Sequence, residues 1–332
     1  MGEGNVEGHG VDAALRTQCG WGATAHRRSS SPMTEDGPNV EPPDAATLAW
    51  AARRLASETA TVVQRLGGGL DAATHLLRAG DGSEAVLRRA VGPDGDRRVE
   101  QFRRERDILT LLQHTGLPVA RLLGADVDAV QTDGPALLTS CLPGRLTYPP
   151  EPTDAFVSGV ATAAGMVHSQ PVPDVVWPWH DGAANLSRRV QSGNGPGWAR
   201  LREIGIPSGP LTFVHGDLWP GNLLFQSDRL TGIVDWGDAG VGHPGLEVGY
   251  LAADLRVATG SQHVHEAAID AYEKVRGPLP NRAWWEVAGY LRFPRDPADW
   301  LAAWTEAGLP LSAADVRTRH AAGLAHALSR LS

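Results

Sequence analysis

Asp217, Asn222 and Asp235 lie within one short stretch, FVHGDLWPGNLLFQSDRLTGIVDWGD, running from Phe213 to Asp238. An aspartate can accept a proton from a hydroxyl, and an amide oxygen and a second carboxylate are hard donors of the kind Mg2+ takes. Phosphoryl transfer needs such a set, because it asks a protein for positioning and charge neutralisation rather than covalent chemistry. The same stretch supplies a way to bring the three together. Leu211 to Val214 reads as a strand entering the cluster, and Leu223 to Phe225 and Leu230 to Val234 read as two strands joined by the polar turn Gln226 to Arg229. Such a hairpin returns Asp235 to the point where Asn222 began.

The string HGDLWPGN has the HxDxxxxN spacing of a kinase catalytic loop, and DWG stands where the metal-binding DFG triplet would follow. An Asp beside a Gly is by itself often only a turn residue. It is the ordered pair of motifs that resembles the aminoglycoside phosphotransferase family, the small-molecule branch of the protein-kinase-like fold. The resemblance implies an α+β, two-lobed protein-kinase-like fold, with an antiparallel sheet and a helix in the small lobe and a mainly helical large lobe. It divides the chain into a nucleotide-binding lobe over residues 46–144 and a lobe with the catalytic loop and acceptor site over 145–332. It further implies Asp217 as catalytic base, Asn222 and Asp235 as Mg2+ ligands and ATP as phosphoryl donor, with GTP not excluded. The acceptor is then a hydroxyl of a small molecule, an antibiotic or a metabolite. Two other readings stay open: a nucleotide-binding pseudokinase acting as a binding module, and a hydrolase that directs water from Asp217. The intact trio of Asp217, Asn222 and Asp235 argues against the first.

Upstream, Ala45 to Ser57 reads as a helix, and Thr61 to Leu66, Thr74 to Arg78 and Glu84 to Arg89 as strands. Gly67, Gly68 and Gly69 sit between the first two strands. Glycines there let a backbone approach a phosphate closely, although a plain hairpin turn also accounts for them. By the resemblance, AVLRRA takes the place of the VAIK strand, with Arg88 in the lysine slot. Adjacent strand residues face opposite ways, so only one of Arg88 and Arg89 can enter a cleft. Val99 to Gln113 reads as a helix in which Phe102, Ile108, Leu109 and Leu112 share a side with Glu105. A carboxylate on an apolar stripe calls for a cation, unless the helix is rotated enough to wet it. The resemblance names Arg88 as that cation. PALLTSCLPG resembles the fifth strand and the hinge, where backbone groups of Ser140 to Leu142 would read an adenine edge and Leu138 would give apolar cover. Glu247 stands where many relatives carry an Asp, which implies a supporting role.

Composition sets the outer limits. With 332 residues and 42% apolar content the chain can fill two lobes. A net charge of -8 gives no basic stripe for a phosphate backbone, so nucleic acid is not expected as a partner. Cys19 and Cys141, far apart in sequence, suggest neither a disulfide framework nor a zinc site, which fits a reducing cytoplasm. No run of about 18 apolar residues marks a membrane span. Residues 1–45, rich in Gly, Ser and Pro, read as a disordered tail. Residues 251–332 hold nine acidic and nine basic side chains. A pocket for several ammonium groups calls for local acidic excess, so this balance points away from a polycationic aminoglycoside as acceptor. The sequence sets no oligomeric state.

Overall fold

The computed structural model describes residues 42–66, 72–90, 95–146, 148–172 and 181–331. Helix α1 (Ala45–Arg54) begins at Asp44, whose carboxylate accepts the Thr47 N–H at 2.7 Å and so satisfies a donor the helix cannot. Strands β1 (Ala60–Leu66), β2 (Ala72–Ala79) and β3 (Glu84–Ala90) follow, then helix α2 (Gly95–Leu112) and strands β4 (Leu122–Asp126) and β5 (Ala136–Ser140). The five strands form one antiparallel sheet in the order β1-β2-β3-β5-β4. Its pleat sorts side chains between two helices. Ala85, Leu87 and Leu138 pack with Trp50 of α1, whereas Leu137 packs with Phe102 of α2. Because Leu87 pairs with Leu138 and Arg88 with Leu137, Arg88 lies on the α2 face and Arg89 on the α1 face.

The remainder is mostly helical. It runs β6 (Arg145–Leu146), α3 (Asp154–His168), α4 (Gly182–Ser192), α5 (Pro196–Ile204), β7 (Thr212–Val214), β8 (Leu223–Gln226), β9 (Arg229–Ile233), β10 (Gly240–Gly242) and α6 (Pro244–Thr259). Helices α7 (Gln262–Arg276), α8 (Arg282–Leu291), α9 (Leu301–Glu306) and α10 (Ala313–Arg330) complete it. Val160, Leu251, Ile269, Val287 and Val316, one from each of five helices, are all but sealed from water in the largest apolar cluster. Each such side chain adds about 1.5–3 kcal/mol by its burial. Ser312 starts α10 by accepting the Asp315 N–H at 3.0 Å.

Two short antiparallel sheets carry the catalytic stretch: β6-β8-β9, and β7 with β10. The turn joining β8 to β9 puts Ser227 and Asp228 at φ 49° and 61°, the double left-handed step that a tight hairpin needs. On its far edge β9 is held by the segment after α2, where the Ile233 N–H donates to Pro118 O at 2.9 Å. The hairpin is thus gripped on one side by β6, where the chain leaves the sheet, and on the other by the segment joining α2 to β4. Residues 1–41, most of the tail expected to be disordered, lie outside the described residues, as do Gly67, Gly68 and Gly69. Among the described residues no helix is long and apolar enough to cross a membrane.

Candidate active site

Strand β7 delivers His215, fully buried, with its Nε2 2.9 Å from Val234 O and its ring 4.6 Å from that of Trp236. Gly216 then takes φ +83°, and a Cβ there would lie 1.9 Å from Asp238 O, so no other residue fits. The Asn222 amide donates to Asp217 O at 2.8 Å and sits 3.4 Å from Asp217 Oδ2. The hairpin closes as the sequence suggests: Val234 N–H donates to Asn222 O at 3.0 Å, bringing Asp235 back beside Asn222. Asp235 itself adopts φ 63°, ψ 64°, a left-handed conformation that costs on the order of 1 kcal/mol outside glycine.

Glu247, in the first turn of α6, is the buried support of this loop. Its carboxylate accepts the N–H of Gly216 at 2.6 Å and of His215 at 3.2 Å, and lies 3.0 Å from His168 Nε2. Tyr272 engages the other ring nitrogen of His168 at 2.9 Å. Burial alone pushes a carboxyl pKa up, yet the His168 hydrogen bond, the charges of His168 and His215, and the Gly216 N–H bring Glu247 below its ordinary value. The extra methylene relative to Asp reaches two successive backbone N–H groups from the helix.

From the sheet comes Arg88, whose Nη1 lies 2.6 Å from Glu105 Oε2 and 2.8 Å from Asp235 Oδ1. Glu105 is buried among Phe102, Ile108, Leu109 and Leu112, so the apolar stripe of α2 does carry a paired carboxylate. Burial pulls the Arg88 pKa down, but Asp235 and Glu105 more than offset it and hold the guanidinium firmly charged. Arg89 faces the other way and pairs with Asp133 beneath α1, settling which of the two arginines enters the cleft. Arg104 of α2 adds a contact that the sequence gave no sign of: its Nε donates to Gly237 O at 2.5 Å, pinning the turn after Asp235.

Two further groups reach Asp217 from distant segments. Arg292, just past α8, donates to Gly216 O, stands 3.4 Å from Asp217 Oδ1, and lies over the Tyr250 ring at 4.2 Å. Burial first, and the nearby Asp217 second, push the Tyr250 hydroxyl well above its ordinary pKa. Desolvation at the foot of the cleft raises the Asp217 pKa to about 6; Arg292 opposes the rise, and Asp238 and Asp235 add to it. A third of the side chain nevertheless faces the open cleft, at 36% exposure. A carboxylate, an amide oxygen and a second carboxylate therefore converge beside fixed cations, a set that can orient a hydroxyl and hold a phosphate.

The sequence profile of the phosphotransferase enzyme family (APH) matches residues 62–290, well over half of the chain. The chain belongs to the phosphotransferase enzyme family. No curated protein sequence matches it. Its fold is similar to that of macrolide 2′-phosphotransferase MphH from Brachybacterium faecium, at 21% identity, covering 83% of this chain and 96% of that one, with a TM-score of 0.54. A thermostable mutant of aminoglycoside phosphotransferase APH(4)-Ia, in a ternary complex with ADP and hygromycin B, is similar at 15% identity, with 84% and 98% covered and a TM-score of 0.55. The microcompartment-associated aminopropanol kinase is similar at 18% identity, with 85% and 98% covered and a TM-score of 0.51. At these identities the likeness shows the fold, which is the protein-kinase-like, two-lobed α+β one.

In this phosphotransferase the hinge departs from the sequence expectation. Ser140 is still part of the sheet edge: its N–H donates to Arg121 O at 2.8 Å and its hydroxyl accepts the Arg121 N–H at 2.9 Å. Those groups cannot also read an adenine edge. Leu138 points under α1 rather than over the cleft, because the pleat puts it on the face opposite Arg88. Leu142 does lie at the lobe junction, its side chain against Gly232 of β9.

Proposed function

We propose that this phosphotransferase is a small-molecule kinase that transfers the γ-phosphoryl group of ATP, or of GTP, to a hydroxyl of a small molecule. The observation that carries the reading is the meeting of Asp217, Asn222 and Asp235 with the Arg88–Glu105 pair, from separate elements, at one cleft. Asp217, steered by Tyr250, Arg292 and Asn222, takes the acceptor's O–H proton as that oxygen bonds to the γ-phosphorus. The bond from the γ-phosphorus to the bridging oxygen breaks, and the nucleoside diphosphate leaves with that electron pair. Arg88 orients the phosphates while Glu105 and Asp235 hold its planar fork in place.

The donors also fit Mg2+. Asn222 uses its amide N–H on Asp217, leaving Oδ1 on the opposite side of the amide, and Asp235 is 37% exposed. One amide oxygen and one carboxylate form the sparse protein set that Mg2+ takes when phosphates and water complete its shell. Bound by Asn222 and Asp235, the ion would neutralise charge on the nucleotide phosphates. The nucleotide would lie along Gly67, Gly68 and Gly69, with its base against Leu142. The cytoplasm, which supplies ATP, is the compartment this reading favours.

The test is a mass-spectrometric screen for phosphorylated products with ATP and Mg2+, run on wild type and Asp217→Asn. Transfer should fall by about 10²-fold or more in the variant, with nucleotide affinity retained. Equal transfer by the two proteins would refute the assignment.

A further inference from the structure

Arg292 is tied to the catalytic loop by only part of its guanidinium. Nη2 donates to Gly216 O and stands 3.4 Å from Asp217 Oδ1. Nε and Nη1 meet no acceptor among the described residues, yet neither is sealed from water, and 18% of the side chain is exposed. The fork is seated on Tyr250, its central carbon 4.2 Å from the centre of that ring.

The two helices that present this pair are locked together. Gly249 of α6 and Gly289 of α8 let the backbones touch: a Cβ on Gly289 would come 2.2 Å from Gly249 C, and one on Gly249 would come 2.1 Å from Trp285 O. Tyr250 follows the first glycine directly. Arg292 closes the turn that the second begins, its N–H donating to Gly289 O at 3.2 Å. Phe293 then packs edge-on to Tyr250, with 5.8 Å between ring centres. A long side chain is in this way fixed beside the base with donors left over.

What those donors meet follows from the chemistry at Asp217. The hydroxyl oxygen that gives up its proton must come within about 3 Å of that carboxylate, and the phosphorus it attacks lies about 3–3.5 Å further on. A phosphoryl group in transfer carries negative charge on its three outer oxygens. Here it passes between two aspartates, Asp235 on the donor side and Asp217 on the acceptor side. Arg88 meets Asp235 at 2.8 Å. The catalytic loop itself, HGDLWPGN from His215 to Asn222, holds no Lys or Arg. Among the described residues Arg292 is the one cation within ion-pair distance of Asp217. A cation that served only to balance the carboxylate would bond it closely. This one gives its close bond to the Gly216 carbonyl and keeps Nε and Nη1 open.

We propose that Arg292 is a catalytic residue, donating hydrogen bonds to the outer oxygens of the phosphoryl group as that group moves to the acceptor. The proposal rests on the phosphotransfer reading above and adds a contact to it. The acceptor oxygen bonds to the γ-phosphorus, its proton passes to Asp217, and the bond to the bridging oxygen breaks with its electron pair leaving on the nucleoside diphosphate. Arg292 exchanges no proton. It stabilises charge on the group in flight, and because it is placed beforehand, no reorganisation is needed during the reaction.

The experiment needs no acceptor. ADP is titrated with Mg2+ into wild type, Arg292→Gln and Arg292→Lys, with and without aluminium fluoride, which stands in for the phosphoryl group in transfer; calorimetry reads the affinity. In wild type the fluoride complex should bind about tenfold or more tighter than ADP alone. In Arg292→Gln that advantage should all but vanish while the affinity for ADP alone stays within about twofold, since the interaction belongs to the transferring group. Arg292→Lys keeps a charge over Tyr250 but lacks the planar fork, so it should lose most of the advantage too, and it decides the matter if the glutamine variant does not fold. With an acceptor from the mass-spectrometric screen, kcat of Arg292→Gln should fall by about 10²-fold or more at an unchanged nucleotide KM. A role confined to holding the loop would lower kcat and leave the fluoride advantage intact, and that result overturns the proposal while phosphotransfer stands. So does a wild type that turns over an acceptor yet shows no advantage. A wild type with neither turnover nor advantage sinks the phosphotransfer reading, and the proposal with it.

Discussion

Asp254 of α6 is a carboxylate with almost no access to water, and it offers a prediction whose size follows from its surroundings. It is 1% exposed, accepting the Tyr148 hydroxyl at Oδ2 and the Trp304 indole N–H at Oδ1, both at 2.9 Å. Desolvation pushes its pKa from the ordinary 3.8 up to about 7, although Trp304 and Tyr148 pull it back. The proton is therefore held more tightly in the folded chain than in the unfolded one. Its stabilising effect is complete below the unfolded value near 4 and is lost as pH rises through about 7. Each pH unit inside that window removes about 1.4 kcal/mol, so roughly 2 kcal/mol should go between pH 5.5 and 7. Asp254→Asn isolates this contribution: the amide oxygen still accepts from Trp304, and the Tyr148 hydroxyl can rotate to accept from the amide, as it would from the protonated acid. Urea unfolding of wild type and variant at pH 5.5, 6.3, 7 and 8 measures the difference. The stability of Asp254→Asn relative to wild type should grow with pH by about 2 kcal/mol from 5.5 to 7 and level off above that. A difference constant across the four pH values would refute the reasoning, whatever its sign.

Three other outcomes follow from the site. Arg88→Ala and Glu105→Ala should each raise the nucleotide KM, with a double-mutant coupling of about 1 kcal/mol or more, and Arg89→Ala should show none. Glu247→Gln should cost about 1–3 kcal/mol in urea unfolding at pH 7, because an amide cannot accept at both oxygens. Since the folded pKa of Glu247 lies below 4.5, its contribution is present above that value and fades as pH falls through the lowered one, so wild type and Glu247→Gln should converge in acid. Gly216→Ala should lose fold or activity outright, as judged by melting and by nucleotide turnover, because the added methyl meets backbone that cannot move aside.

What was legible in the sequence was what is local. Asp217, Asn222 and Asp235 sit on one hairpin, and alternation with turn residues is enough to bring their ends together. Glu105 was legible because helical periodicity placed it among apolar residues that had to be buried. Arg292 and Tyr250 were not, since they reach Asp217 from α8 and α6 and no local pattern announces a contact that only helix packing creates. Arg104 was hidden in the same way, one arginine among several on α2. The error at Leu138 has a different cause. A strand's pleat fixes which residues share a face, but only the sheet's pairing says which face looks into the cleft, and the same ambiguity left Arg88 and Arg89 undecided until β3 was set against β5.

The turn after β9 belongs by chain to the helical lobe, yet Arg88 grips Asp235 and Arg104 grips Gly237 from the sheet lobe, while Ile233 is paired to the segment after α2. The helical lobe holds the same turn just as firmly, through Val234 N–H on Asn222 O, His215 Nε2 at Val234 O and the His215 ring against Trp236. A rigid opening of the cleft must therefore break one set of these bonds or the other. The turn is a rivet between the lobes, and keeping both sets fixes the angle at which Asp235 faces Asp217.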